Sequence, residues 1–424
     1  MTIGRLSAML ATLAAVLPHA AWAQAQVVPI EDVNATIAPD SGDTGWLLGA
    51  SLIAALLLIP ALKRWLSPGG GEALLTRLTT ALAAVTLLFL GIGYSLMFDV
   101  AGGDILGGGG NWMLNLMGSV RDGTSIPETG FAFANLLLCL IATTLVVSAL
   151  HRRAQGAWLI GFAALWFMLV FVPLSRWTLG AGWIDALGAL DLAGGMLIFL
   201  GAGVSALVAM AMVGGEAQVP ALRDQSGLAP ALGITAGLVA LTGASPLGAG
   251  DSAAVAMLVT VIAAATGALM GAALARRADA SALATGMLGG AVAASVVADG
   301  ASFGGAVLTG VVGALAAWFA PRIMPRRLGW HDGDNRVLPL IAAAIAGALL
   351  VGPLLSSEWF GGSGYPEGFN MGRQLVAQLV AIVAVAAWSA IGTVIAGLTI
   401  GLVTRMRADD GISAPATAEA VSRP

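Results

Sequence analysis

The stretch DLAGGMLIFLGAGVSAL, residues 191–207, decides the class of fold. After Asp191 it is apolar and rich in glycine, and the bulky Phe199 lies at its middle. A helix needs roughly 20 apolar residues to cross a hydrocarbon core of about 30 Å. Because the apolar run continues to residue 213, this stretch predicts a membrane-spanning helix.

The composition of the 424-residue chain gives the same indication. Hydrophobic residues make up 58% and charged residues only 10%, whereas soluble domains carry about 25% charged residues. A net charge of −4 does not indicate a nucleic-acid partner. The single cysteine, Cys139, excludes an intramolecular disulfide and a cysteine metal site. We expect no cofactor and no enzyme activity, because the spans hold no cluster of nucleophile, base and acid.

The N-terminus predicts a signal peptide over residues 1–23. Arg5 supplies the positive end, an apolar run follows, and Ala21–Ala23 offer a small-x-small cleavage site. An uncleaved first span is the alternative interpretation. Residues 24–43 are then an extracytoplasmic segment that precedes the membrane domain.

Further apolar runs of spanning length predict an all-α integral membrane protein with eleven transmembrane helices between residues 44 and 404. The predicted spans are 44–62, 76–98, 130–150, 156–174, 191–213, 228–246, 252–275, 281–298, 302–320, 337–355 and 371–404. The last span is long enough to project beyond the bilayer. The boundary between the eighth and ninth is the least defined, because both are rich in alanine and glycine.

The distribution of basic residues supports an odd number of spans. Of the 19 lysines and arginines, Arg5 lies in the predicted signal peptide. With the N-terminus outside, only Arg121, Arg176 and Arg373 fall on the outer side, and the other fifteen fall inside. This follows the positive-inside rule. We therefore expect a multi-pass protein of a bacterial inner membrane, with a disordered cytoplasmic tail at 405–424.

Half of the 58 glycines lie inside the predicted spans. Small residues let helix backbones approach closely in lipid, so these glycines indicate a tightly packed bundle. They do not form a phosphate-binding loop, because no G-x-x-x-x-G-K-[ST] sequence is present.

Several short phrases at the ends of these spans resemble the ammonium transporter (Amt/Mep/Rh) family. They are GDTGW at 42–46, GYSLMF at 93–98, IPE at 126–128, GALDLAGG at 188–195 and GYPEGFNMGRQLVAQL at 364–379. The resemblance covers roughly residues 43–412. It implies a homotrimer with one pore in each subunit, and two inverted five-helix halves followed by a long final helix.

The resemblance also implies residues that support the pore. Asp191 lies eight residues before Phe199, and Asp332 lies eight residues before Leu340. Asp191 matches a family aspartate that supports the pore, next to Gly194 and Gly195. An alternative role for both aspartates is to cap the starts of helices.

Phe199 and Leu340 occupy the positions that match the family's two pore histidines. An ammonium ion in mid-membrane loses its hydration, at a cost that reaches tens of kcal/mol in an idealised low-dielectric medium. An imidazole can accept its proton so that neutral ammonia crosses. Phenylalanine and leucine cannot accept a proton. The histidines His151 and His331 fall at the cytoplasmic ends of spans.

The residues that match the family's outer recruitment site are also changed. The family holds ammonium there between aromatic rings and a serine. The matching positions here are Ala134, Leu138, Leu179 and Gly248. The nearby aromatic residues Phe131, Phe133 and Trp177 either replace this cation site or only pack and anchor the spans.

Three functions remain open from the sequence. The first is ammonium or ammonia transport through an altered pore. One form of this hypothesis is a pore that passes only neutral ammonia. The second is a non-conducting sensor, regulatory or assembly subunit. The third is a channel for another small neutral molecule. The family resemblance also raises a signalling protein of the PII type as a partner of the tail, where Glu419 is a remnant of the family sequence.

Overall fold

The computed structural model describes residues 38–115, 118–214, 227–276, 279–323 and 336–408. Within these ranges the chain is helical and has no β-strand, only two isolated bridges. The predicted signal peptide, nearly all of the 24–43 segment, Asp332, His331 and the tail beyond residue 408 lie outside the described residues.

Nine helices of spanning length and two shorter apolar helices follow one another in the described ranges. They are α1 (Ser41–Leu66), α2 (Gly71–Phe98), α3 (Glu128–Leu150), α4 (Gly156–Trp166 continued by Phe167–Phe171 and Val172–Leu179), α5 (Met196–Val213), α6 (Leu228–Ala244), α7 (Asp251–Ala275), α8 (Ala280–Val297), α9 (Phe303–Ile323), α10 (Leu338–Leu354) and α11 (Met371–Gly401).

The predicted count of eleven spans is confirmed. In the described ranges, nine helices are long and apolar enough to cross a membrane, and α6 and α10 are shorter apolar helices of 17 residues. Seventeen residues is the lower limit for a spanning helix. The 31 residues of α11 extend for about 46 Å at a rise of 1.5 Å per residue, which is longer than the hydrocarbon core.

The start of α5 differs from the prediction by five residues. The helix begins at Met196 and not at Asp191. The Asp191 carboxylate accepts hydrogen bonds from the backbone N–H groups of Met196 and Leu197, each at 2.9 Å. Gly194, which lies between Asp191 and Met196 in the chain, has φ +73°, and this conformation interrupts a right-handed helix. Asp191 therefore caps the first turn, as the alternative interpretation expected.

Three of the helices contain a π-helical segment. The segments are Phe89–Gly93 in α2, Phe167–Phe171 in α4 and Met196–Gly201 at the start of α5. A Cβ atom on Gly93 would lie 2.9 Å from Cζ of Phe167, so the first two segments are in direct contact. Segments of this kind are rare and are often found at functional sites.

Corresponding helices of the two halves pack on each other. The first helices, α1 and α6, are in contact, and so are the last helices, α5 and α10. An inverted pair of five-helix halves gives this arrangement. Helix α11 lies against the first half, where Nε1 of Trp158 donates to the Gly397 carbonyl at 3.1 Å and Nε1 of Trp388 donates to the Leu169 carbonyl at 3.0 Å.

Glycine packing joins helices α7 and α8. A Cβ atom on Gly286 would lie 2.1 Å from the carbonyl oxygen of Gly267, and one on Gly290 would lie 2.0 Å from that of Ala263. No methyl group fits at either position. The sequence interpretation of these glycines as helix-packing residues is confirmed here.

Candidate functional site

Phe199 and Leu340 lie on the facing helices α5 and α10. Each side chain has 0% of its surface exposed. Phe199 belongs to the π-helical segment of α5, and Leu340 lies in the first turn of α10. Neither Met196–Val213 nor Leu338–Leu354 contains an ionisable residue. This contact between the halves therefore has no side chain in either helix that can take up a proton.

The two helices approach closely at Gly203, one turn after Phe199. A Cβ atom on Gly203 would lie 2.6 Å from Cγ1 of Ile341 and 3.8 Å from Cγ1 of Val337. Ile341 is the neighbour of Leu340 in the chain. The backbone of α5 is thus in close contact with apolar side chains of α10 next to Leu340.

The segment that leads into α5 is fixed against α3 and α8. A Cβ atom on Gly194 would lie 3.4 Å from both terminal carbons of Leu138, and one on Gly195 would lie 2.2 Å from Oγ of Ser295. The backbone N–H of Ala193 also donates to the Ser295 carbonyl at 3.2 Å. The structure therefore brings Leu138, Gly194 and Gly195 together. Ser295 was not among the predicted residues, because only the fold brings it to this segment.

The other predicted recruitment positions are distributed over the predicted outer end of the bundle. Ala134 packs on a small apolar cluster that contains Leu47 and Ile126, whereas Leu179 packs against the main core. At Gly248 a Cβ atom would lie 3.1 Å from Oδ1 of Asp43. None of these positions carries an aromatic ring or a hydroxyl group.

A cation does lie on an aromatic ring at this end of the bundle, and it belongs to the chain itself. The guanidinium carbon of Arg121 is 4.4 Å from the ring centroid of Phe131 and 5.6 Å from that of Phe98. Nη1 of Arg121 donates to Oε1 of Glu128 at 3.0 Å, and the Tyr94 hydroxyl donates to the same oxygen. Sequence reasoning singled out Phe131 but missed Arg121, because the loop conformation sets their contact.

The two other aromatic candidates have packing roles. Nε1 of Trp177 donates to the Ile105 carbonyl at 3.0 Å, and its ring lies 5.3 Å from that of Trp388 and 5.6 Å from that of Trp183. Phe133 is partly buried against the main core. Both rings therefore fit the interpretation that they pack the spans.

His151 lies directly after the end of α3, where it contacts Arg77. Arg77 donates to its backbone carbonyl at 2.9 Å, and the Arg77 guanidinium lies 3.5 Å from Nδ1. Burial and the nearby charges of Arg77, Arg152 and Lys63 lower the pKa of His151 from 6.5 to about 4. The imidazole is therefore neutral at physiological pH.

The model of the Ammonium Transporter Family matches residues 70–412. The chain belongs to the ammonium transporter family. Its helical fold is thus that of a multi-pass membrane transporter family, whose members are not enzymes.

Curated relatives match over nearly the whole chain. An ammonium transporter of Aquifex aeolicus is 27% identical over 391 residues, which cover 88% of this chain and 90% of the relative. A putative ammonium transporter of Methanothermobacter thermautotrophicus is 29% identical over 382 residues. This match covers 84% of this chain and 91% of the relative.

Solved structures share the fold at lower identity. The crystal structure of Candida albicans Mep2 has a TM-score of 0.79 at 23% identity and covers 89% of both chains. A structure described as a sensor Amt protein has a TM-score of 0.76 at 19% identity, and it covers 88% of this chain and 96% of its own.

Proposed function

We propose that this member of the ammonium transporter family passes neutral ammonia and carries no ammonium current. The observation that supports this proposal is the complete burial of Phe199 and Leu340, which the sequence resemblance matches to the family's pore histidines. Neither side chain can accept the proton that ammonium must release. A charged ion at this point would keep most of its desolvation cost uncompensated.

The test uses purified protein in liposomes and two measurements on the same preparation. Solid-supported membrane recording after an ammonium pulse measures current, and a pH-sensitive dye inside the vesicles measures ammonia entry. We expect faster alkalinisation than in empty liposomes and no sustained current. The Aquifex aeolicus relative, reconstituted in the same way, serves as the comparison for current. A saturable current from this protein would contradict the proposal.

A non-conducting role as a sensor, regulatory or assembly subunit is the second candidate. The contact of Gly203 with Ile341 favours it, because α5 and α10 then leave no room for a methyl group next to Leu340. In the dye measurement this role predicts the same alkalinisation rate as in empty liposomes. The variant Phe199→Ala separates the candidates, since removal of the ring should increase ammonia entry in a channel whose path it narrows.

A channel for another small neutral molecule is the third candidate. The same vesicles, placed in a hyperosmotic solution of methylamine or urea at alkaline pH, report such a flux as re-swelling after shrinkage. Flux of one of these molecules without ammonia entry would favour this third role over the first.

We also propose the topology and assembly that follow from the sequence. The N-terminus lies outside after removal of residues 1–23, and the C-terminus lies in the cytoplasm of a bacterial cell. Reporter fusions after Arg153 and Arg407 should both report the cytoplasm, and one after Trp359 should report the outside. Native mass spectrometry in mild detergents should give a homotrimer. A PII-type partner would bind the tail beyond residue 408, and co-purification with and without that tail tests for it.

A further inference from the structure

The Arg121 site, which consists of Tyr94, Phe98, Glu128 and Phe131, has the chemistry of a receptor for a cation. Rings of Phe98 and Phe131 face the guanidinium of Arg121, with their own centroids 5.0 Å apart and their planes at 81°. Aromatic faces attract cations within about 6 Å of the centroid. The Glu128 carboxylate adds a charge-assisted hydrogen bond, which is the stronger class of hydrogen bond.

The walls of this site do not depend on Arg121. Phe98 and Tyr94 are almost fully buried, with ring centroids 5.3 Å apart. Glu128 is buried, is the first residue of α3, and receives the hydrogen bond from the Tyr94 hydroxyl. A helix N-terminus also favours a carboxylate at this position. The position of Glu128 is therefore set by contacts other than the one with Arg121.

The loop that carries Arg121 is also held by bonds outside its side chain. The backbone N–H of Arg121 donates to the Ile126 carbonyl at 2.8 Å, and that of Glu128 donates to the Ser119 carbonyl at 2.8 Å. The N–H of Asp40 donates to the Ser125 carbonyl at 2.8 Å, and the Ser125 hydroxyl donates to Asp43 at 2.5 Å. Truncation of the Arg121 side chain thus leaves the loop anchored and the site open.

We propose that the Arg121 site binds a small cation of the guanidinium or primary ammonium class, and that Arg121 is its tethered occupant. While Arg121 is seated, a free cation has neither the ring faces nor the carboxylate available. The chain therefore excludes external cations from this part of its predicted outer end. This role is independent of whether the path between α5 and α10 conducts.

The test measures binding of ethylguanidinium chloride by isothermal titration calorimetry to the purified full-length protein in detergent. We expect the variant Arg121→Ala to bind at least about tenfold more tightly than the unmodified protein, which corresponds to a modest cation–π and ion-pair contribution. The double variant Arg121→Ala/Glu128→Gln should lose most of that gain. Tetramethylammonium, which has no N–H group for Glu128, should bind more weakly to Arg121→Ala than ethylguanidinium does.

Three results would overturn the proposal. One is equal binding of ethylguanidinium to the unmodified protein and to a folded Arg121→Ala variant. Another is binding that Glu128→Gln leaves unchanged. Where Arg121→Ala does not fold, Arg121→Gln takes its place in the binding measurement. Both variants are also purified with ethylguanidinium present, to test whether this cation restores a folded protein. Failure of this cation to restore a folded protein would show that the site does not accept a free occupant.

Discussion

Gly203 and Ile341 are in such close contact that a methyl group on the glycine would lie 2.6 Å from Cγ1 of the isoleucine. This contact sets the distance between α5 and α10 beside Phe199 and Leu340. The separation of the two halves at the candidate site thus depends on the absence of one side chain.

The variant Gly203→Ala should therefore lower the stability of the folded protein by about 1–3 kcal/mol, the usual cost of overpacking. Thermal unfolding in detergent, followed by tryptophan fluorescence, measures the change. The control is Gly49→Ala on α1, where a Cβ atom meets nothing within 4 Å. The double variant Gly203→Ala/Ile341→Ala should be less destabilised than the sum of the single variants. Additive losses would contradict a direct contact.

The cap at the start of α5 gives a second prediction. Asp191→Ala removes both acceptors of the Met196 and Leu197 N–H groups, and we expect a loss of about 1–2 kcal/mol. Asp191→Asn keeps one acceptor, so its stability should lie between that of the unmodified protein and that of Asp191→Ala. The same unfolding measurement applies, with Asp104→Ala at an exposed loop position as the control. Equal stabilities for Asp191→Ala and the control would show that the cap contributes nothing.

Gln378 of α11 gives a third prediction, because it pairs with both backbone groups of Leu190. Nε2 donates to the Leu190 carbonyl at 2.8 Å, and Oε1 accepts from the Leu190 N–H at 3.2 Å. Gln378→Ala leaves these groups without their partner, at about 1–3 kcal/mol for each buried group that stays unsatisfied. The matched control on the same helix is Val383→Ala, at an exposed position. We expect that control to change the stability by less than about 0.5 kcal/mol.

A fourth prediction concerns the dependence of stability on pH. His151 has a pKa of about 4 in the folded protein and 6.5 as its ordinary value. Between these values the unfolded chain binds a proton that the folded chain does not, so this residue lowers stability as pH falls from 6.5 toward 4. Above pH 6.5 its contribution is constant, because the imidazole is neutral in both states.

The unfolding temperature of the unmodified protein and of His151→Asn, measured from pH 7.5 to 5.0, tests this sign. The unmodified protein should lose more stability over this range than the variant does, since other groups titrate equally in both. Parallel curves would mean that His151 has an ordinary pKa in the folded state.

The spans were predictable from the sequence because hydropathy alone determines which segments enter lipid. Even the uncertain boundary in the alanine- and glycine-rich region was predicted at 298–302, and the structure places it between Val297 and Phe303. The start of α5 was not predictable in this way. The helix start is set by the Asp191 carboxylate, which accepts the first N–H groups of the helix, and by the positive φ of Gly194. Hydropathy detects neither of these features.

Contacts that depend on loops were not accessible from the sequence. Phe131 was identified as a possible cation-binding ring, but its partner Arg121 lies ten residues earlier in a loop with no periodic pattern. In the same way, Ser295 reaches the entry of α5 only because α8 ends beside it. Spacing rules apply within one helix, and these contacts join separate segments.

The π-helical segment Met196–Gly201 has a consequence for the evolution of this chain. Such a segment holds one residue more than an α-helix of the same length requires. Loss of one residue here would convert it to an α-helix and leave the ends of α5 intact. The flanking turns would keep their orientation, and only residues of the segment itself would change the side of the helix on which they lie. A single codon deletion could therefore replace Phe199 by a neighbour at the contact with α10, without any substitution.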